Sequence, residues 1–146
     1  MPFEFSLAAV LRYRESLEQR EQLALERLQQ ATVVVEKSIR TVDEACSHAA
    51  KSRAHQMNQG MVAAEVQTSY EYQVSLERQR EALRAQLQTL KVQWQRQLRN
   101  YESARRNRET LEKLRCQQLE AYNLERARRV QRAIDDAHLA RLRRRR

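Results

Sequence analysis

His55-Gln56-Met57-Asn58-Gln59-Gly60-Met61 contains the only glycine of a 146-residue chain whose only proline is Pro2. Glycine enters left-handed backbone without a Cβ penalty and proline breaks helices, so the chain after Phe3 carries one strong breaker, at residue 60. The residues around it are weak helix formers, and the reversal belongs there. The stretch therefore predicts an all-α antiparallel two-helix coiled-coil hairpin. Helix one spans about 6–55, the turn lies near residues 55–61, helix two spans about 62–140, and a basic tail covers 141–146. The helices are unequal, and the whole is one elongated domain without an obvious cleft.

Composition agrees with a narrow seam rather than a globular core. Charged residues make up 32% of the chain and aromatic residues 5%. High charge with low hydrophobicity also permits disorder, but here the apolar residues are periodic. From Leu25 they run Leu28, Val35, Ile39, Val42, Cys46 and Ala49, with Thr32 in the one gap, in steps of three and four that make an a/d seam. Upstream, Leu7 and Leu11 keep this register. Arg14, Glu18 and Glu21 then take the seam positions while Val10, Leu17 and Ala24 stand one place off, an irregularity that leaves charge near the interface.

Ser6 is a plausible N-cap for helix one, and Phe5 could staple onto Val10. Phe3 and Phe5 could equally form a docking element for a partner. Helix two carries Val66, Tyr70, Leu76, Leu83, Leu87, Leu90, Trp94, Tyr101, Ala104, Leu111 and Leu114, which can cover the first seam. If residues whose numbers sum to about 118 face each other, Leu7 lies near residue 111. About 35 residues then overhang, or ~50 Å at the helical rise. The overhang bears Leu119, Tyr122, Val130, Ile134, Ala137 and Leu142. Lone helices are marginal in water, so this stripe predicts a partner surface; a frayed tail with scattered leucines is the alternative.

The formal charge is +9, and residues 99–146 hold 15 of the 28 basic residues but only 7 of the 19 acidic ones. Nearly all the net charge therefore lies on the last third, together with the unpaired stripe. That combination suits a negatively lined protein cavity or phosphate. Arg141 and the run Arg143–Arg146 would bind nucleic acid without sequence specificity. Glu109, Glu112, Glu120, Glu125, Asp135 and Asp136 interrupt the basic region, unlike a zipper-type DNA reader, so no specific nucleic-acid partner is expected.

One glycine cannot build a phosphate-binding loop, so the chain is no nucleotide-hydrolysing motor of that type. Cys46 and His48 face different sides of a helix, and His55 and Met57 read as helix-end residues, so no metal is expected. His138 near Asp135 is an ordinary exposed pair. No cofactor and no catalytic residue is expected, and the chain does not read as an enzyme. The hairpin would leave Cys46 and Cys116 ~60 Å apart at ~1.5 Å per residue, so both should be free thiols. No stretch approaches the ~20 apolar residues of a membrane span, and the start lacks the basic and apolar regions of a secretory signal. A cytoplasmic location is expected.

The opening Phe3-Glu4-Phe5-Ser6-Leu7, with Val10-Leu11 and Arg14-Glu15 after it, resembles the start of the flagellar FliJ family. Gly60, the stretch from Tyr70-Glu71-Tyr72 to Leu76, and the late Ile134-Asp135-Asp136-Ala137 resemble that family's turn, second-helix start and C-terminal signature. Asp136 and His138 replace the family's usual Glu and apolar residue. The resemblance runs nearly end to end. It implies a fold similar to the coiled coil of the rotary ATPase gamma subunit. It also implies a stalk and general chaperone or escort of the flagellar type III export apparatus, peripherally associated with the inner membrane. Its partners would be the export ATPase hexamer, the cytoplasmic domain of the export gate, and export chaperones, and the free chain would be a monomer. An injectisome stalk would share this shape, and a generic coiled-coil scaffold and a basic nucleic-acid-binding coiled coil are the remaining alternatives. Carried onto this sequence, the ATPase-facing residues are Phe3, Phe5, Leu7, Val10, Leu11 and Arg14 with Val130, Arg132, Ile134, Asp135 and Asp136. The gate-facing residues are Tyr72, Leu76, Gln79 and Leu83, an i, i+4, i+7, i+11 stripe.

Overall fold

The computed structural model describes residues 1–145. It consists of two α-helices, α1 (Ala8–Gln59, 52 residues) and α2 (Ala63–Arg144, 82 residues). The chain forms two compact units, Glu21–Tyr101 and a second made of Met1–Arg20 with Glu102–Arg146. In each, α1 and α2 run antiparallel, so the all-α, two-helix hairpin class and the unequal helices are borne out.

The turn is tighter than the sequence suggests. α1 continues through His55 to Gln59, and only residues 60–62 lie between the helices. Gly60 has φ +85°, the left-handed conformation that closes many helices at low cost only for glycine. Its N–H donates to the Met57 carbonyl at 3.3 Å. Val62 opens α2, its carbonyl accepting from Glu65 at 3.0 Å and Val66 at 3.2 Å. Glu65 sits in the first turn and Arg141, Arg143 and Arg144 in the last, each sign matching the helix dipole. That complementarity carries the helix past residue 140 and makes Arg141–Arg144 helical rather than a tail. Of the arginine run, Arg146 lies outside the described residues.

Unit Glu21–Tyr101 is a helical hairpin whose seam is the predicted one. Val35, Val42 and Leu76 are its buried side chains. Leu25, Leu28, Thr32, Ile39, Cys46 and Ala49 of α1 are half-buried, as are Leu83, Leu87, Leu90, Trp94 and Tyr101 of α2. Thr32 is tolerated in the seam because its hydroxyl donates to the Leu28 carbonyl at 2.8 Å. Val66 and Tyr70 do not join the seam and are exposed. Near the turn α1 offers Arg53 rather than an apolar residue, and its guanidinium donates to Gln73 Oε1 at 2.6 Å. Val66 and Tyr70 lie between this polar rung and Gly60, as does the exposed Met57 of α1. Cys46 is half-buried and free.

The other unit begins with an extended strap, Met1–Phe5, before α1. The helix starts two residues after Ser6, with Ala8 donating to the Phe5 carbonyl and Leu11 to the Leu7 carbonyl. Phe5 and Leu11 are buried while Val10 is 42% exposed. Phe5 and Leu11 line one cleft with Arg115 of α2. The displaced register at Glu18 is accommodated by a charged rung. Arg108 donates from Nε to Glu18 across the helices and from Nη1 to Glu112 along α2. Leu114 is exposed, and Cys116 is an exposed free thiol. Among the described residues, no helix is long and apolar enough to cross a membrane.

Candidate partner-binding surfaces

The strap decides what the termini-bearing unit can present. The Phe3 ring lies 5.6 Å from that of Tyr122, tilted by 49°, within the range where aromatic pairs attract. Tyr122 donates its hydroxyl to the Met1 carbonyl. The strap therefore covers α2 as far as Tyr122. The overhang expected after residue 111 begins only after it, because an extended strap reaches further per residue than a helix. From Asn123 to Arg145 every residue is exposed.

This geometry divides the expected ATPase-facing set. Phe5 and Leu11 are buried, and Phe3, Leu7 and Arg14 are half-buried. Val10, Val130, Arg132, Ile134, Asp135 and Asp136 are exposed, with Val130 and Ile134 more than half so. Asp135 accepts from Gln131 at 2.9 Å. Beside the strap lies a cleft of about 710 Å³ lined by Phe3, Leu119, Tyr122, Arg126 and Arg129. Arg129 is paired with Glu125 one turn back. The sequence does not single out Met1 and Pro2 as contact residues. The available signal is Tyr122, an aromatic on the α2 stripe opposite two phenylalanines.

The electrostatics of this unit centre on α2. Glu109 accepts from Arg105 Nε at 2.8 Å, and that hydrogen bond, helped by the charges of Arg105, Arg108 and Lys113, holds its carboxyl below the usual range. The hydrogen bond to Glu18 raises Arg108 further above neutrality, with Glu112 and Glu109 adding to it. These pairs fix side chains along the helix. They leave Arg126, Arg128, Arg132 and Arg141 exposed beyond them.

The expected gate-facing stripe is also split. Leu76 is only 8% exposed and Leu83 half-buried, both turned into the seam, while Tyr72 and Gln79 are exposed. Tyr72 also borders a cleft of about 710 Å³ at the turn with Gln56, Gly60, Met61, Ala64 and Thr68. Met57, Val62, Val66 and Tyr70 add exposed apolar surface near it.

A family model described as flagellar FliJ protein matches residues 3–146, a span that takes in both helices, the left-handed Gly60 and the phenylalanines of the strap. The chain belongs to the FliJ family. Membership places it in flagellar protein export, with partners in the flagellar export apparatus. Searches of curated proteins and of solved structures find no match.

Proposed function

We propose that this chain is the central stalk and general chaperone or escort of the flagellar type III export apparatus. Its termini-bearing unit engages the inside of the export ATPase hexamer, promoting its assembly and activity. The surface after the turn engages the cytoplasmic domain of the export gate. The stalk works in the cytoplasm, peripherally at the inner membrane. The observation that supports this reading best is the run from Asn123 to Arg145, a helical segment exposed at every position and bearing Val130 and Ile134 among arginines. Exposed apolar residues on a strongly basic helix are costly unless a partner covers them.

The test is a pull-down with the cognate export ATPase followed by an ATPase assay. Wild type should bind and stimulate, and Val130→Asp with Ile134→Asp should abolish stimulation while helicity stays near wild type. Retained stimulation in that variant would defeat the reading. For the gate, Tyr72→Ala with Gln79→Ala avoids the buried Leu76 and should weaken binding to the gate's cytoplasmic domain; unchanged affinity would leave this face a packing surface.

A further inference from the structure

We infer that the exposed end of α2 is one half of an unfinished coiled coil, and that its missing half is an acidic amphipathic helix from a partner protein. The inference rests on the proposed function in taking this end as the ATPase-facing one, and adds the chemistry of what docks there.

The face that α2 packs on α1 does not stop where α1 begins. Leu111 is half-buried and Arg115, one turn on, borders the cleft of Phe5 and Leu11; Leu119, Tyr122, Arg126, Val130, Ala133 and Ala137 then continue the line in steps of three and four. These steps keep one helical face, so the line is collinear with an interface already formed. Tyr122 is covered by the strap, and Arg126 to Ala137 is bare. The repeat of three, four and four residues is the eleven-residue pattern, under which a helix pair needs little left-handed winding.

Charge selects the occupant. Asn123 to Arg145 holds eight arginines against Glu125, Asp135 and Asp136. By helical geometry Arg126, Arg141 and Arg144 fall on the bare line and Arg129 beside it, whereas Asp135 falls on the opposite side and Glu125 and Asp136 at the edge. A second copy of this chain would bring arginine against arginine, so self-pairing is opposed. An anionic bilayer also fits the charge, but an interfacial helix buries a broad face of bulky side chains. Here the line is narrow, and Ala133 and Ala137 occupy its centre. Small residues admit the close approach of another helix, and the arginines at either end of the line, with Arg129 beside it, can pair with carboxylates on that helix.

The test uses the full chain and two synthetic helical peptides of about four heptads, alike in an apolar seam and carrying Glu or Lys at the flanking positions. Vesicles of three parts phosphatidylcholine to one part phosphatidylglycerol and a mixed-sequence DNA duplex serve as competitors. The Glu peptide should bind and the Lys peptide should not, with affinity falling about tenfold or more at high salt as exposed charges are screened. Ala133→Glu with Ala137→Glu puts carboxylates into the seam at exposed positions that glutamate's helix propensity tolerates. It should lose about tenfold or more in affinity, whereas Arg128→Glu, on the opposite side, should lose far less. Equal binding of the Lys peptide, displacement of the Glu peptide by vesicles or DNA, or an unaffected double variant overturns the inference. Failure here with ATPase binding intact leaves the proposed function standing. Peptide binding without ATPase binding removes the proposed function and keeps the acidic helix.

Discussion

Tyr122 holds the start of the chain at two points, its ring tilted against that of Phe3 at 5.6 Å and its hydroxyl donating to the Met1 carbonyl. Neither contact alone carries much energy; an aromatic pair adds about 0.5–1.5 kcal/mol and an exposed hydrogen bond less. Phe3→Ala should therefore free the strap without melting the helices. Amide exchange at residues 3–7 should rise about fivefold or more, with far-UV helicity unchanged. Tyr122→Phe, which keeps the ring, should show a smaller rise.

Arg108 meets three carboxylates, Glu18 on α1 and Glu109 and Glu112 on α2, while Glu18 is mostly buried. Removing either partner has unequal consequences. Arg108→Ala leaves Glu18 without its cation and should cost about 1–3 kcal/mol in chemical denaturation. Glu18→Ala leaves Arg108 with Glu112 and Glu109 and should cost less. Replacing both by leucine should come close to wild-type stability, because a well-packed apolar pair avoids the desolvation of charge.

Glu109 sets a pH dependence. Its carboxyl is held below the usual range in the folded chain, first by the hydrogen bond from Arg105, so folding favours its ionised form. The stabilisation is present above the unfolded-state value, near pH 4, and is lost as pH falls through the lower folded one. Wild type should be the more stable in thermal melts against Glu109→Gln at pH 7, and the gap should close towards pH 3. Arg108 has the opposite sign: its raised value stabilises at all lower pH and fades only in strong alkali, outside this window.

Gly60 tests the turn. A Cβ placed there would meet nothing within 4 Å, so the obstacle to substitution is the backbone, with φ at +85°. Gly60→Ala should cost about 1–2 kcal/mol, the left-handed penalty, and Gly60→Asn clearly less, since asparagine visits this region more readily. Equal costs would mean the turn relaxes into another conformation.

The fold was legible because the signals that govern it are local and periodic. One glycine in a helix-permissive chain locates the reversal, and the steps from Leu25 to Ala49 name the residues that Val35 and Val42 represent in the seam. What escaped has a common cause: side chains reaching across. Arg53 reaches Gln73 through a long guanidinium, and between that polar rung and the turn Val66 and Tyr70 stay out of the seam. An extended strap reaches Tyr122 where a helical count stops near residue 111. Periodicity within one helix does not report how far a neighbour's arginine or an unwound end can reach. Of the candidate surfaces, the sequence found Val130 and Ile134, which are exposed, and its apolar period already set Leu76 and Leu83 in the seam while leaving Tyr72 and Gln79 out of it. All four share a helical face, and their burial differs with what α1 sets opposite.

The three-residue link at Gly60–Val62 has a consequence for how this chain can change length over evolution. Arg53 with Gln73, Asp43 with Arg80, and Glu21 with Gln97 act as rungs at increasing distance from the link. A link this short has no slack, so one residue inserted into a single arm would rotate every rung beyond it by about 100° out of alignment. Insertions and deletions within Glu21–Tyr101 should therefore survive only as matched pairs, one in each arm. Beyond Tyr122, where no α1 residue lies opposite, the link imposes no such matching on α2.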